Sequence, residues 1–383
     1  MAVTNDLVTD QRVDRSCRAL TEAGYDVTLV GRRLAGSAPL KQREYRTSRM
    51  RLIFRRSAWF YGEYNARLLL KLLLMRADAF YANDSDTLLA CSLAARLRGK
   101  KLIFDAHELF PDVPELVEKP RVRKVWKQVE RRCLPQVDAA FTVCQSVAEE
   151  YRRRYGVEMS VVRNLPDWDP QCDADKTLEK STKVPDTEGQ GWNLLYQGAV
   201  NVGRGVRELV DAMEMLPEGR LVVAGNGDLL EELKRYTSTL PWRERIEFLG
   251  RVEPQRLHGL TVEADLGACL LEDMGLNYRY ALPNRIADFA HAGVPILATG
   301  FVEIRRVVEK YHTGALIGAC PREKDGKQYR SYVQQLAKTI SDTIAHWRAL
   351  PEEEKHRRFA LARKELCWKN EKKVLLDKID TIF

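Results

Sequence analysis

Two trains of short apolar runs, each run followed by a helix-length amphipathic segment, organise this chain of 383 residues. In the first train, Asp26–Gly31, Ala79–Ala82, Lys101–Asp105, Ala139–Val143 and Met159–Val162 read as strands, and residues 9–23 read as a helix ahead of them. Such alternation demands crossover connections, and therefore a parallel sheet covered on both faces. Residues 167–191, with Pro170, Pro185, Gly189 and many charges, carry no periodicity and read as a linker or long surface loop. The alternation then resumes through Trp192–Tyr196, Arg220–Ala224, Ile246–Leu249, Leu266–Leu270 and Val294–Ala298, and the tail from Tyr329 is helical. The expected class is α/β, with two doubly wound Rossmann-like domains over 1–166 and 192–350 and helices over 351–383. In such sheets ligands sit at the carboxyl ends of the strands, here expected in a cleft where the domains face. One oddity stands: only four residues precede Asn5, so either the first, central strand is unusually short or the true start lies upstream of Met1.

Composition narrows the class further. No stretch approaches the ~18 uncharged apolar residues of a spanning helix, and the N-terminus shows neither a basic n-region nor an apolar h-region. The eight cysteines are scattered without a Cys-x-x-Cys pair, which suits reduced thiols in a cytosol rather than disulfides or zinc. The net charge of +8 is uneven: residues 1–163 hold 30 Lys+Arg against 20 Asp+Glu, and residues 41–76 hold 10 against 2.

Three stretches of the second half could handle a phosphorylated ligand. Gly198-Ala-Val-Asn-Val-Gly-Arg204-Gly205 follows the first strand of its domain and opens a helix, where exposed amides and a guanidinium suit a diphosphate; a plain glycine-rich connection reads the same. Gly225-Asn-Gly227 lacks the third glycine of a dinucleotide fingerprint, so a tight turn near a nucleotide is expected there. In Tyr278 to Pro295, Pro283 starts a helix that carries Asn284, Arg285 and Asp288 and stops at Gly293. Asp288 suits two ribose hydroxyls, or simply water. In the first half, Asp105-Ala-His107-Glu108 gathers polar groups at a strand end, with His107 placed to hydrogen-bond a sugar or phosphate. Asn5, Asp6, Asn83 and Asp84 also fall at strand ends, as cleft candidates or as helix caps.

On these motifs the second half resembles the donor domain of glycosyltransferase family 4, retaining enzymes of the GT-B fold. Gly198 and Arg204-Gly205 match the family's spacing, with Arg204 standing for its lysine. Asp288 corresponds to the second glutamate of its pair, while Gly225, Gly227, Phe248-Leu-Gly250 and Glu303 match further landmarks. Asn5 to Val13 and Asp105 to Leu109 resemble a bacterial branch associated with cell-surface polysaccharide and lipopolysaccharide assembly. Two positions depart: Ala199 replaces the phosphate-binding arginine and Tyr280 the first glutamate.

The resemblance implies metal-independent transfer of a hexose from a UDP- or GDP-type nucleotide sugar to a glycan or lipid-linked acceptor, with no cofactor. Arg204, Arg285 and His107 would be catalytic, Arg285 supplying the charge lost at Ala199. Gly198, Gly205, Gly225, Gly227, Asn284, Asp288 and Glu303 would hold the donor. Asn5, Asp6, Asn83, Asp84 and Glu108 would face the acceptor, and the C-terminal helices would cross back to the first domain. A nucleotide-sugar 2-epimerase of the same fold, or a silent homologue serving as a partner subunit, remain alternatives. Arg49, Arg51, Arg55 and Arg56, next to Trp59 and Phe60, suit a peripheral site on an anionic cytoplasmic membrane face. Nucleic acid is not expected, for lack of an accompanying motif.

Overall fold

The computed structural model describes residues 1–8, 10–34, 36–54, 57–167 and 191–383. They form two compact units. The first comprises Met1–Asn164 together with Gly275–Asn277 and Lys369–Phe383; the second comprises Leu165–Met274 and Tyr278–Trp368.

The first unit is built on seven parallel strands: β1 (Ala2–Asp6), β2 (Thr28–Arg33), β3 (Arg46–Arg51), β4 (Ala79–Asn83), β5 (Lys101–Ala106), β6 (Ala139–Thr142) and β7 (Ser160–Val161), in the order β3-β2-β1-β4-β5-β6-β7. β1 is short, at five residues, yet it is central and pairs with both β2 and β4. β3 lies inside the basic segment, where no strand is expected. An edge strand buries little, so Arg46-Thr-Ser-Arg-Met-Arg51 needs no apolar run. The helix Gln11–Glu22 starts at Asp10, whose Oδ1 accepts from the Val13 amide (3.1 Å), and buries Val13, Cys17 and Leu20. The strand order reverses direction between β1 and β4, the place where a doubly wound sheet opens a crevice.

The second unit repeats the plan with β8 (Trp192–Gln197), β9 (Gly219–Ala224), β10 (Ile246–Gly250), β11 (Leu266–Cys269), β12 (Ile296–Thr299) and β13 (Gly314–Ile317), ordered β10-β9-β8-β11-β12-β13 and all parallel. Successive residues of its strands feed opposite cores, as the two-residue period of a strand requires. Leu194, Tyr196, Leu221 and Val223 pack with Leu209, Leu336 and Ile340. Leu195, Val222 and Ala224 pack with Phe289, Ile304 and Leu366. Here the strand order reverses between β8 and β11.

The tail is three helices, Gly326–Ala349, Glu352–Glu365 and Trp368–Asp380. Only the last belongs to the first unit, from Lys369 onward; Glu352–Glu365 stays with the second, so the return starts later than residue 351. That middle helix braces the helix Arg285–Ala292, with Arg363 Nε donating to the His291 carbonyl (2.9 Å). Residues 168–190, most of the expected linker, lie outside the described residues. The seven described cysteines are all buried and unbridged. Among the described residues no helix is long and apolar enough to cross a membrane.

Candidate functional site

In the second unit, the loop after β8 and the helix Arg285–Ala292 bring most of the expected donor residues to one end of the sheet. Gly198 holds φ at 126°, and a Cβ there would lie 2.9 Å from Arg285 Nη2, so the Arg285 guanidinium lies against the Gly198 backbone. Gly205, at φ 71°, opens the helix Val206–Ala212 and would meet Leu270 at 2.3 Å if it carried a Cβ. Both positions require glycine for conformation and for space.

Two guanidiniums define the electrostatics. Arg285 is buried and stacks over the Tyr196 ring at 4.7 Å, and the Tyr196 hydroxyl donates to the Ala199 carbonyl (2.5 Å). Arg204 stacks over Tyr278 at 5.1 Å. Arg285 Nη1 and Arg204 Nε are buried without a hydrogen-bond partner among the described residues. Buried donors of this kind carry a desolvation penalty until an acceptor reaches them.

Asp288 is half-buried, and its Oδ2 accepts from Gln197 Nε2 (3.2 Å); Gln197 Oε1 accepts in turn from the Thr261 hydroxyl (2.8 Å). Gln197, Thr261, Tyr196 and Tyr278 are absent from the residues that the sequence singles out. Asn284 is exposed at the N-cap and makes no side-chain capping bond. Glu303 is buried in the first turn of the helix after β12 and pairs with Arg306 (2.7 Å).

Gly225 and Gly227 serve the turn itself. A Cβ on Gly225 would stand 1.7 Å from the Gly198 carbonyl oxygen, and one on Gly227 would stand 2.4 Å from that of Val200. The lack of side chains at both lets the two loops lie against each other, with Val200 N donating to the Asn226 carbonyl (3.0 Å).

In the first unit a charged cluster occupies the ends of β4 and β5. His107 Nδ1 lies 3.2 Å from Asp84 Oδ2 and its Nε2 lies 3.5 Å from Asp105 Oδ2, while its main-chain amide donates to Asp84 Oδ1 (2.8 Å). Burial opposes the imidazolium, but the two carboxylates outweigh it and lift the pKa to about 10. Both ring nitrogens of His107 thus face carboxylates, and Nε2 is buried without a hydrogen-bond partner among the described residues. Asp105 is buried, receives Arg12 (2.6 Å) and Tyr81 (3.1 Å), and is held well below the usual carboxylate range despite its desolvation. Asp84 sits at φ 59° at the start of the helix Ser85–Arg98, without capping it. Buried Asp86 accepts from Thr4 and is pushed up to about 8, chiefly by desolvation and then by Asp84.

The remaining first-unit candidates divide. Asn5 is exposed and donates to Asp10 (3.0 Å); Asp6 accepts from Ser37 and faces Arg49 at 3.5 Å; Glu108 is half-buried beside His107. Asn83 is fully buried, and its amide donates to the Ala2 carbonyl (2.8 Å), tying β4 to β1; it cannot face an acceptor.

The membrane candidates divide as well. Trp59 is 72% exposed, but Phe60 is buried under the Arg32 guanidinium and cannot reach a bilayer. Arg49 is held by Asp6 and the Ala38 carbonyl, Arg51 is exposed, and Arg55 and Arg56 lie outside the described residues.

Comparison with known proteins follows the same division. Residues 10–167 match the model of Glycosyltransferase Family 4, and residues 192–339 match that of Glycosyl transferases group 1. No curated protein gives a significant match in sequence. Among solved structures, sucrose-phosphate synthase from Thermosynechococcus elongatus superposes with a TM-score of 0.72 at 16% identity, over 97% of this chain and 92% of that one. Anabaena Alr3699/HepE in complex with UDP-glucose gives 0.71 at 14% identity, over 99% of both chains. WaaG, a glycosyltransferase involved in lipopolysaccharide biosynthesis, gives 0.65 at 14% identity, over 100% of this chain and 98% of that one. The two halves of the chain thus match two glycosyltransferase family models, one each, and the chain shares the GT-B fold of its solved neighbours.

Proposed function

We propose that this chain is a retaining glycosyltransferase that moves a hexose from a nucleoside-diphosphate sugar to a glycan or lipid-linked acceptor in cell-surface polysaccharide or lipopolysaccharide assembly. One observation carries the reading: two guanidiniums, each stacked on a tyrosine, keep buried nitrogens without partners beside the Gly198–Gly205 loop. Fixed positive charge of this kind stabilises a leaving diphosphate without reorganising as the bond breaks. Arg285 lies against the Gly198–Ala199 turn and takes the part of the arginine that Ala199 replaces. Asp288, steadied by Gln197, accepts from the ribose hydroxyls. The departing phosphate takes the acceptor proton, so no separate protein base is assigned. Support for the donor class comes from the HepE neighbour, which is held with UDP-glucose, and support for the pathway from the lipopolysaccharide role of WaaG.

On the acceptor side, Asn5, Asp6, Asp84 and Glu108 face the ligand, with the His107 cation fixing the loop after β5. A peripheral membrane site follows from Ile53, Phe54 and Trp59, large apolar side chains left exposed close in sequence to Arg51, with Leu70 and Leu74 exposed further along the helix Ser57–Leu74. Trp59→Ser with Leu74→Ser should release the protein from anionic vesicles in a sedimentation assay, and retained binding would remove this placement.

Thermal unfolding with UDP, GDP, ADP, CMP and dTDP tests the donor reading. Ligand at 100 times its Kd adds about 2.7 kcal/mol, a shift of roughly several degrees. One selective shift supports the transferase and names its base. A flat panel overturns donor binding and favours the silent partner subunit that Ala199 and Tyr280 also suit.

A further inference from the structure

The arginines of the basic segment fall into two groups. Arg43, Arg46 and Arg49 are matched by Asp14, Asp26 and Asp6. Arg32, Arg33 and Arg51 have no carboxylate partner among the described residues, and all three line one cavity of about 660 Å³ with Leu34, Ser37 and Phe54.

That cavity opens at the carboxyl ends of β2 and β3. β2 and β3 pair in register with Arg33 opposite Arg51, placing two like charges on adjacent strands about 4.8 Å apart. Like charges so placed are unfavourable unless something of opposite sign comes between them. Arg32 is clamped over Phe60 at 4.7 Å, and its Nε is buried without a hydrogen-bond partner.

The nearby carboxylates are engaged elsewhere. Asp6 faces Arg49 and accepts from Ser37. Glu63 takes Arg67 (2.8 Å) and the amides of Ile53 (2.9 Å) and Phe54 (2.8 Å), which pins the loop that forms the far wall. Arg33 and Arg51, side by side at the mouth of the cavity with Arg32 next to them, suit a tetrahedral oxyanion, because planar donors can each meet two of its oxygens, while the Ser37 hydroxyl proton is already given to Asp6.

We propose that this cavity binds a phosphoryl group carried by the acceptor. The word acceptor rests on the transferase reading; the anion site rests on the unpaired arginines alone. The phosphoryl group could belong to a soluble sugar phosphate or to a lipid headgroup, and Phe54, in ring contact with exposed Trp59 at 5.9 Å, joins the cavity to the apolar surface.

The test uses the full chain, glucose 6-phosphate against glucose by calorimetry, and phosphatidylglycerol–phosphatidylcholine vesicles against phosphatidylcholine alone. Arg33→Gln with Arg51→Gln removes two charges from the cavity; Arg46→Gln with Lys100→Gln removes two already paired charges elsewhere. The expected result is that at least one phosphoryl probe outbinds its neutral counterpart, and that the cavity variant weakens it about tenfold or more while the control does not. Whichever probe responds identifies the source. Equal binding of charged and neutral probes overturns the proposal, as does a cavity variant that behaves like the control. UDP is titrated alongside: its failure to bind any of the three proteins would sink the transferase reading and leave the outcome for the cavity unchanged.

Discussion

On the proposed reading Arg204 and Arg285 act on the same developing charge from different elements, one from the loop after β8 and one from the first turn of a helix. Arg204→Ala and Arg285→Ala should each lower kcat by about 10²–10³, the cost typical of losing one fixed donor to a developing oxyanion, with circular dichroism unchanged. Arg204→Lys should recover much of the loss, since it keeps the charge while giving up the planar stack on Tyr278. Turnover near wild type in either alanine variant would end that assignment. Arg204 and Asp288 are legible in sequence because loop spacing and helix phase place them. Tyr196 and Gln197 are not: they end a buried strand, and only the packing of a helix from about 90 residues downstream turns a core tyrosine into a platform for a cation. His107 is legible as part of a polar strand end, but its protonation depends on Asp84, which arrives from another strand.

The ends of β4 and β5 form an element whose charge is set by burial, and stability should report it. Asp86 is raised to about 8 by desolvation, with Asp84, His107 and Glu108 as its charged neighbours. Its unfolded value is near 4, so the unfolded chain releases a proton that the native chain keeps, and stability falls as pH rises from about 4 to about 8. His107, raised to about 10 between Asp84 and Asp105, stabilises fully below about 6.5 and loses that contribution as pH passes its folded value. Both slopes have the same sign from about pH 6.5 to about 8. Urea midpoints should therefore fall across about pH 6.5–9, with Asp86→Asn flattening the part below about 8 and His107→Gln the part above. Midpoints that rise over this range would contradict both assignments. At this scale the central strands are readable from their apolar runs, whereas β3 is not, because an edge strand is chosen by its neighbour's hydrogen bonds and not by hydrophobicity.

Across the molecule, the last fifteen residues complete the first unit after the chain has built the second. Sequence periodicity shows helices throughout the tail but cannot show where it changes allegiance, because helices on either unit share the same period. Buried Glu371 marks the change: it accepts from Arg163 through the backbone amide (2.7 Å), Nε (2.9 Å) and Nη2 (2.6 Å). Leu375 and Ile379, one and two turns on, are each 1% exposed, and Asp380 accepts from the Tyr25 hydroxyl (2.8 Å). Each apolar side chain contributes about 1.5–3 kcal/mol, and the Glu371–Arg163 contact about 1–3 kcal/mol, Arg163 being partly solvated. Removing Lys369–Phe383 should thus cost the first unit about 4–9 kcal/mol, comparable with the whole stability of a domain. The second unit keeps its sheet, its loops and the bracing helix Glu352–Glu365, so a chain ending at Trp368 should lose protease resistance within residues 1–164 while still shifting with UDP. Glu371→Gln, which preserves shape, should show the same loss in milder form as a lower urea midpoint. A truncated chain whose first unit resists protease like the full one would mean that this unit is held by its own sheet, and that the returning helix only rests on it.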